Sequence, residues 1–157
     1  MFNSKNEISS FDFSQSALVG MMIKQDRIVF EIEDVIIRAN NSQNNQYRDM
    51  ATNELVLELT EISEIKIIRD GYIVRDMDDK IREQVDDVII NEDEYSDLIE
   101  KIKGCPIVEI ACEDGKYHVF VDTEEYTESY SIFITAKNDI EEWERFRNLP
   151  DEYRQQF

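Results

Sequence analysis

Apolar and polar side chains alternate along much of the N-terminal half of the chain, which is the period of a β-strand. Apolar residues occupy every second position over residues 17–23 and again over residues 28–32. The short polar link Lys24-Gln25-Asp26 separates these two runs, so together they predict a β-hairpin. We expect its second strand to continue through Val35 and Ile37.

A polar segment, residues 39–53, interrupts this pattern and contains five asparagines. Asparagine favours turns and left-handed backbone conformations, so the segment predicts a long loop. A loop of this length is either a mobile surface loop or a binding loop.

Alternation resumes after the loop, at residues 55–59, 62–68 and 72–74. The Asp70-Gly71 pair predicts a hairpin turn between the last two of these strands. Residues 75–87 are too polar for an assignment, and residues 88–90 fit either a short strand or the start of a helix.

Two segments change to the helical period. In residues 91–103, Asn91 can cap the helix with Glu94 as its capping-box partner, and Gly104 and Pro106 can end it. A C-terminal helix is predicted from Asn138, with Ile140, Trp143 and Phe146 along its inner face and Pro150 after its end. Between the two helices, residues 107–111 and 117–121 predict a hairpin around Asp114-Gly115, followed by a strand at 130–136.

The expected fold class is α+β. Successive hairpins favour antiparallel pairing, because parallel strands need longer connections. We therefore expect a β-rich antiparallel meander, as a curled sheet or a partly open barrel, with one internal helix and one C-terminal helix. The chain predicts a single domain over residues 1–157, with residues 1–12 as a loose arm whose phenylalanine rings dock onto the rest.

Charge limits the range of partners. The 36 acidic and 17 basic residues give a net charge of −19, which repels nucleic acid and anionic membranes and attracts basic proteins.

Residues 1–10 lack the apolar segment of a signal peptide, and no apolar run is long enough to span a membrane. Cys105 and Cys112 lie in apolar surroundings and are expected to be buried free thiols, which agrees with a cytoplasmic location.

No catalytic or cofactor-binding motif is present, so we expect a protein without a cofactor that is not an enzyme. The four glycines are too widely spaced for a phosphate loop, and one histidine with two cysteines gives no standard zinc spacing. A nucleophilic pair would have to join Cys112 to His118. A two-residue turn at Asp114-Gly115 would pair Cys112 with Tyr117 and Ala111 with His118, which keeps cysteine and histidine on opposite faces. A three-residue turn would bring them together, and the Asp-Gly pair favours the first arrangement.

Acidic residues are concentrated in residues 76–100, where eleven acids stand against Lys80 and Arg82, a net charge of −9. Apolar residues such as Ile81 and Ile89 are interleaved with them, and acids around apolar anchors suit docking onto a basic surface. The plain alternative is a solvated face. The candidate binding residues are Asp76, Asp78, Asp79, Glu83, Asp86, Asp87, Glu92, Glu94 and Tyr95.

Part of the chain resembles a known class of proteins. The polar-aromatic lead Phe11-Asp12-Phe13-Ser14-Gln15-Ser16, the strand patterns that start at Ala17 and Arg27, and Leu55-Val56-Leu57-Glu58-Leu59 follow one another in order. Over residues 1–70 this is similar to small acidic β-rich bacterial proteins of the polymorphic-toxin immunity type. Those proteins often carry His-Asp before the first strand, and this chain has no histidine there. The resemblance implies a protein that blocks a toxin by binding it.

Three functions follow as hypotheses. The leading one is an acidic binding module that engages a basic protein. The second is a small-molecule binder or enzyme with a pocket in the curled sheet. The third is a structural homodimer that pairs through exposed strand edges.

Overall fold

The computed structural model describes residues 1–125 and 128–149. They form two larger antiparallel sheets, a separate two-stranded hairpin and one α-helix, so the molecule is β-rich and α+β. None of the helices in these residues is long and apolar enough to cross a membrane.

The first sheet contains six strands, in the order β1-β13-β5-β4-β2, with β3 also paired to β4. Its strands are β1 (Phe2–Lys5), β2 (Phe11–Asp12), β3 (Ala17–Ile23), β4 (Arg27–Ile37), β5 (Met50–Thr60) and β13 (Asn138–Trp143). A 3-10 helix, Ile8–Ser10, links the first two strands. The predicted hairpin of residues 17–23 and 27–37 is confirmed, with Ile23 opposite Ile28.

The second sheet contains five strands, in the order β10-β11-β12-β6-β9. These are β6 (Glu64–Arg69), β9 (Val88–Ile89), β10 (Ile107–Glu113), β11 (Lys116–Asp122) and β12 (Ser129–Thr135). The predicted Asp114-Gly115 turn joins β10 to β11, and both of its residues have positive φ, 51° and 75°. This pair of φ angles matches the twist of a two-residue hairpin.

The two sheets curl towards each other into a half-barrel. On one side, Ala17 forms a bridge with Pro106, and the Leu18 N–H donates to the Cys105 carbonyl at 2.9 Å. On the other side, the Lys137 N–H donates to the Thr60 carbonyl at 3.1 Å. The alternating apolar residues of both sheets point inward and fill one continuous core, which includes Phe30, Leu57, Val119 and Ile132.

The internal helix is confirmed and the C-terminal helix is not. Helix α1 spans Tyr95–Ile102 after a 3-10 helix at Glu92–Glu94, and it buries Leu98 and Ile102. Asn91 makes no side-chain capping bond.

The segment predicted as the C-terminal helix is strand β13, whose buried positions are Asp139, Glu141 and Trp143. Two of these three inward side chains are acidic, which hides the two-residue period. Ile140 and Trp143 then fall by chance at a helical spacing. The predicted helix end at Pro150 lies outside the described residues.

The N-terminal segment predicted as a loose arm begins with a strand. Residues of β1 pair with β13, with Phe2 opposite Trp143 and Lys5 opposite Ile140. The aromatic rings dock as predicted: the Phe2 and Phe146 ring centroids are 4.7 Å apart, and Phe11 and Phe13 are buried. Ring packing and strand pairing together hold this segment in place.

The loop before β5 is built around two buried asparagines. Asn44 donates through Nδ2 to the carbonyls of Ile37, Arg38 and Arg48 at 3.0–3.1 Å. Asn41 donates to Ser10 Oγ at 2.9 Å. Side-chain amides therefore satisfy backbone groups that a sheet would otherwise pair.

Candidate functional site

A strongly exposed hairpin, which the sequence pattern did not predict, carries part of the candidate site. Its strands are β7 (Tyr72–Arg75) and β8 (Ile81–Val85), and among the described residues they pair only with each other. We call residues 72–85 the acidic hairpin. It makes only sparse contacts with the other elements. A two-stranded ribbon of this kind is marginally stable by itself, so its turn and base must be well bonded.

The tip of the acidic hairpin is held by Asp76. Its Oδ1 accepts from the backbone N–H groups of Asp78 and Lys80, each at 2.9 Å, and its own N–H donates to the Lys80 carbonyl at 2.8 Å. Asp79 has a positive φ of 62°, which aspartate tolerates better than most residues. Asp76 is thus a turn-forming residue whose carboxylate is already engaged.

The Asp70-Gly71 pair, at the base of the acidic hairpin, does not form the predicted hairpin turn. The chain does not fold back there, since β6 pairs with β9 and β12 instead of β7. Gly71 does not have a positive φ. A Cβ at this position would lie 2.2 Å from the Val85 carbonyl oxygen, and the Gly71 N–H donates to Asp87 Oδ1 at 2.6 Å. The glycine is needed for a close backbone approach and not for a turn.

The candidate binding residues lie in two groups. The first group belongs to the acidic hairpin and its base: Asp76, Asp78, Asp79, Glu83, Asp86 and Asp87. The second group, Glu92, Glu94 and Tyr95, lies where the chain enters α1. No hydrogen bond or ion pair between described residues links the two groups.

Exposure separates the free carboxylates from those with structural roles. Asp78, Asp86, Glu92 and Glu94 are exposed and accept no side-chain hydrogen bond from a described residue. Other members of the set are engaged: Glu83 accepts from the Tyr72 hydroxyl at 3.0 Å, Asp87 from Gly71, and Asp79 lies 3.9 Å from Arg75. Tyr95 packs against the core, and burial together with the Glu92 charge raises the pKa of its hydroxyl.

Exposed apolar side chains accompany these acids. Met77 is fully exposed at the tip, and Ile73 and Ile81 on the strands are 50% and 51% exposed. Val88 and Ile89 on the neighbouring edge strand β9 are 40% and 60% exposed. Sequence reasoning found Ile81 and Ile89 but missed Ile73 and Met77. Only the position of Met77 between acidic residues could have drawn attention to it.

The β10–β11 turn carries the second candidate region. Cys112 lies opposite Tyr117 and Ala111 opposite His118, so the predicted two-residue register is confirmed and no Cys–His pair forms. His118 instead stacks on Phe133, with ring centroids 4.5 Å apart. A surface depression of about 600 Å³ lies here, lined by Cys112, Tyr117, His118 and Phe133 among others.

Neither cysteine forms a disulfide. Cys105 is half-buried, and burial raises the pKa of its thiol. Cys112 is exposed, contrary to its predicted burial, because it lies on an edge strand beside the open depression. No group of three or more His, Cys, Asp or Glu residues within the described ranges is arranged to hold a metal ion.

A polar cluster is buried between β1, β13 and β11. Asp139 accepts from the Tyr117 hydroxyl at 2.6 Å and from the Ile8 N–H at 3.1 Å. Glu141, with no exposed surface, accepts from Ser4 Oγ at 2.8 Å. Burial, and then the neighbouring Asp139 carboxylate, raise the pKa of Glu141 to about 9, so its carboxyl group is protonated at neutral pH.

The comparisons with known proteins add no relatives: no family model matches the chain, and no curated protein or solved structure does.

Proposed function

We propose that this protein is a non-enzymatic binding module that engages a basic protein through the acidic hairpin. The observation that carries the proposal is the combination of full exposure at Met77, half exposure at Ile73 and Ile81, and free carboxylates beside them. The exposed surface of these side chains contributes little to the fold, because folding does not remove it from water. They gain free energy when a partner covers them.

Charge accounts for the kind of partner. The acidic hairpin with its base and β9, residues 72–89, contains six acids and three bases, a net charge of −3. The whole chain carries −19. The long-range field therefore attracts basic proteins and speeds encounter, whereas the exposed apolar residues provide short-range contact.

The resemblance to immunity proteins of polymorphic toxins fits this assignment. A protein of that class acts by binding its toxin, and an exposed acidic and apolar element is suited to covering a basic surface. Within the described residues, apolar side chains fill the interior of the half-barrel, and the depression beside His118 lies at its surface. Protein binding is thus the function that the geometry supports best.

The test compares two variants with the same change in charge. The first, Asp78→Asn/Asp79→Asn/Asp86→Asn, neutralises carboxylates of the hairpin region and leaves the turn-forming Asp76 in place. The matched control, Glu31→Gln/Glu33→Gln/Glu54→Gln, removes three exposed charges from the outer face of the first sheet.

Affinity capture on the immobilised wild-type protein supplies the partner, which is then purified and titrated against all three proteins at low and high salt. We expect about tenfold weaker binding for the hairpin variant, since exposed charges contribute a few tenths of a kcal/mol each. We expect the control to bind within about threefold of wild type. A partner that binds both variants equally, or with an affinity independent of salt, would contradict the proposal.

A further inference from the structure

The buried polar cluster lies behind a short edge strand, β1. Strand β1 is four residues long, and among the described residues it pairs with β13 alone. On the other side of β13, strand β5 is eleven residues long and pairs with both β13 and β4. If Glu141 must reach water, lifting β1 breaks fewer contacts than separating β13 from β5.

The side chains around Glu141 favour one shared proton. Its Oε2 is buried and has no hydrogen-bond partner among the described residues. A proton on Glu141 supplies the donor that this carboxyl group lacks, directed to the neighbouring Asp139 carboxylate. Two ionised carboxylates in contact and away from water would repel each other strongly.

The groups that face the pair come from each neighbouring element. Strand β11 contributes the Tyr117 hydroxyl, with Cys112 of β10 beside it, and β1 contributes Ser4 Oγ. The Glu7 backbone lies close enough to favour the ionised form of Glu141. From β5, Leu57 and Leu59 lie opposite and are apolar. No basic side chain among these groups compensates a negative charge on Glu141.

We propose that β1 is a proton-controlled latch: the Asp139–Glu141 pair holds one proton while β1 is docked, and release of that proton accompanies detachment of β1. Burial connects the two events, because Ser4 lies opposite Glu141 in the β1–β13 register and detachment of β1 would expose that carboxyl group to water. The Ser4 hydroxyl donates to the same carboxyl group, which by itself favours the ionised form, so burial and not this bond favours the proton. Asn41, in the loop before β5, also donates to Ser4 Oγ at 3.3 Å, so this loop is hydrogen-bonded to β1.

Amide hydrogen exchange tests the latch on the whole chain. Opening that releases one proton becomes about tenfold more favourable for each pH unit between roughly pH 5 and pH 9, and then levels off. We expect the amides of residues 2–5, corrected for the intrinsic pH dependence of exchange, to follow this profile. They should also open far more often than the amides of β4 and β5.

The Glu141→Gln variant keeps a neutral side chain and should make the opening of β1 independent of pH. Glu142→Gln, an exposed neighbour on the same strand, should retain the wild-type profile. A flat profile in the wild type, the same profile in Glu141→Gln, or equal opening of β1 and β5 would overturn the proposal. If that variant does not fold, the carbon chemical shifts of the Glu141 and Asp139 carboxyl groups decide the matter, because two ionised groups at neutral pH would refute the shared proton.

Discussion

The stability of the folded protein should fall as the pH rises through the neutral range, because of Glu141. Its carboxyl pKa is about 9 in the folded state, against an ordinary value of 4.5. Between these values only the folded state holds the proton, so raising the pH favours unfolding. The stabilisation is therefore fully present below about pH 4.5 and is lost as the pH approaches 9.

The magnitude follows from the size of the pKa difference. One pH unit in this window changes the free energy of unfolding by about 1.4 kcal/mol for a single proton. Over the whole window from 4.5 to about 9, the loss amounts to roughly 6 kcal/mol. Small domains are stable by only about 5–15 kcal/mol, so a change of this size is easily measured.

Urea unfolding at several pH values between about 5 and 9 measures the effect. We expect wild type and Glu142→Gln to lose about 1.4 kcal/mol per pH unit, and Glu141→Gln to show a nearly flat profile. Glu128 titrates outside this window. The hydrogen bond from the Lys101 ammonium is the main cause that lowers the pKa of Glu128, to about 2. The stabilisation that Glu128 provides is therefore lost only as the pH falls below the ordinary range of a carboxyl group.

Two results would refute this reasoning. A wild-type profile that is flat between about pH 5 and pH 9 would mean that Glu141 is ionised in the folded state, whatever its burial. An undiminished slope in Glu141→Gln would assign the proton to another group. A uniform loss of stability in the variant at all pH values would be compatible with the mechanism, since the amide replaces a carboxyl group in a tightly bonded cluster.

Two further predictions concern backbone packing, and urea unfolding checks both. Gly71→Ala should destabilise the protein by about 1–3 kcal/mol, because its Cβ would overlap the Val85 carbonyl, whereas Gly20→Ala should be tolerated, since its nearest neighbour is a side-chain oxygen at 3.5 Å. Equal effects of the two alanines would contradict the packing argument. Asn44→Ala should lower the free energy of unfolding by about 1–3 kcal/mol, because it removes the donor to backbone carbonyls. Asn45→Ala, at an exposed position, should lower it by less than about 0.5 kcal/mol. Comparable losses in the two variants would show that the loop does not depend on Asn44.

Strands that place apolar side chains at every inward position were predictable from the sequence. The hairpin of residues 17–23 and 27–37 and the hairpin at Asp114-Gly115 are examples, and in the second even the pairing of Cys112 with Tyr117 followed from the turn. In both, the local turn chemistry and the alternation indicate the same structure. Strand β13 could not be found in this way, because Asp139 and Glu141 occupy inward positions that the period assigns to apolar residues.

The candidate site was predictable in its charge and not in its shape. Counting residues located the acids between 76 and 100, but it could not show that β7 pairs with β8 rather than β6. That choice depends on the long-range pairing of β6 with β12, which no local pattern encodes. It also determines that Ile73 and Met77 are exposed, because the hairpin they belong to has no sheet to pack against.

The acidic hairpin and β13 both depart from the usual burial of apolar side chains, in opposite directions. Stability of the fold explains neither departure. At the acidic hairpin, apolar side chains lie in water, where they contribute little to folding. At β13, two acids lie in the interior, where burial raises the pKa of Glu141, so the stability falls as the pH rises from acid towards neutral. A sequence shaped for stability alone would place these residues the other way round. The proposed partner would cover the exposed apolar residues, and the proposed latch would make attachment of β1 responsive to protons. Binding at one place and movement at the other are therefore the roles that we propose for these departures.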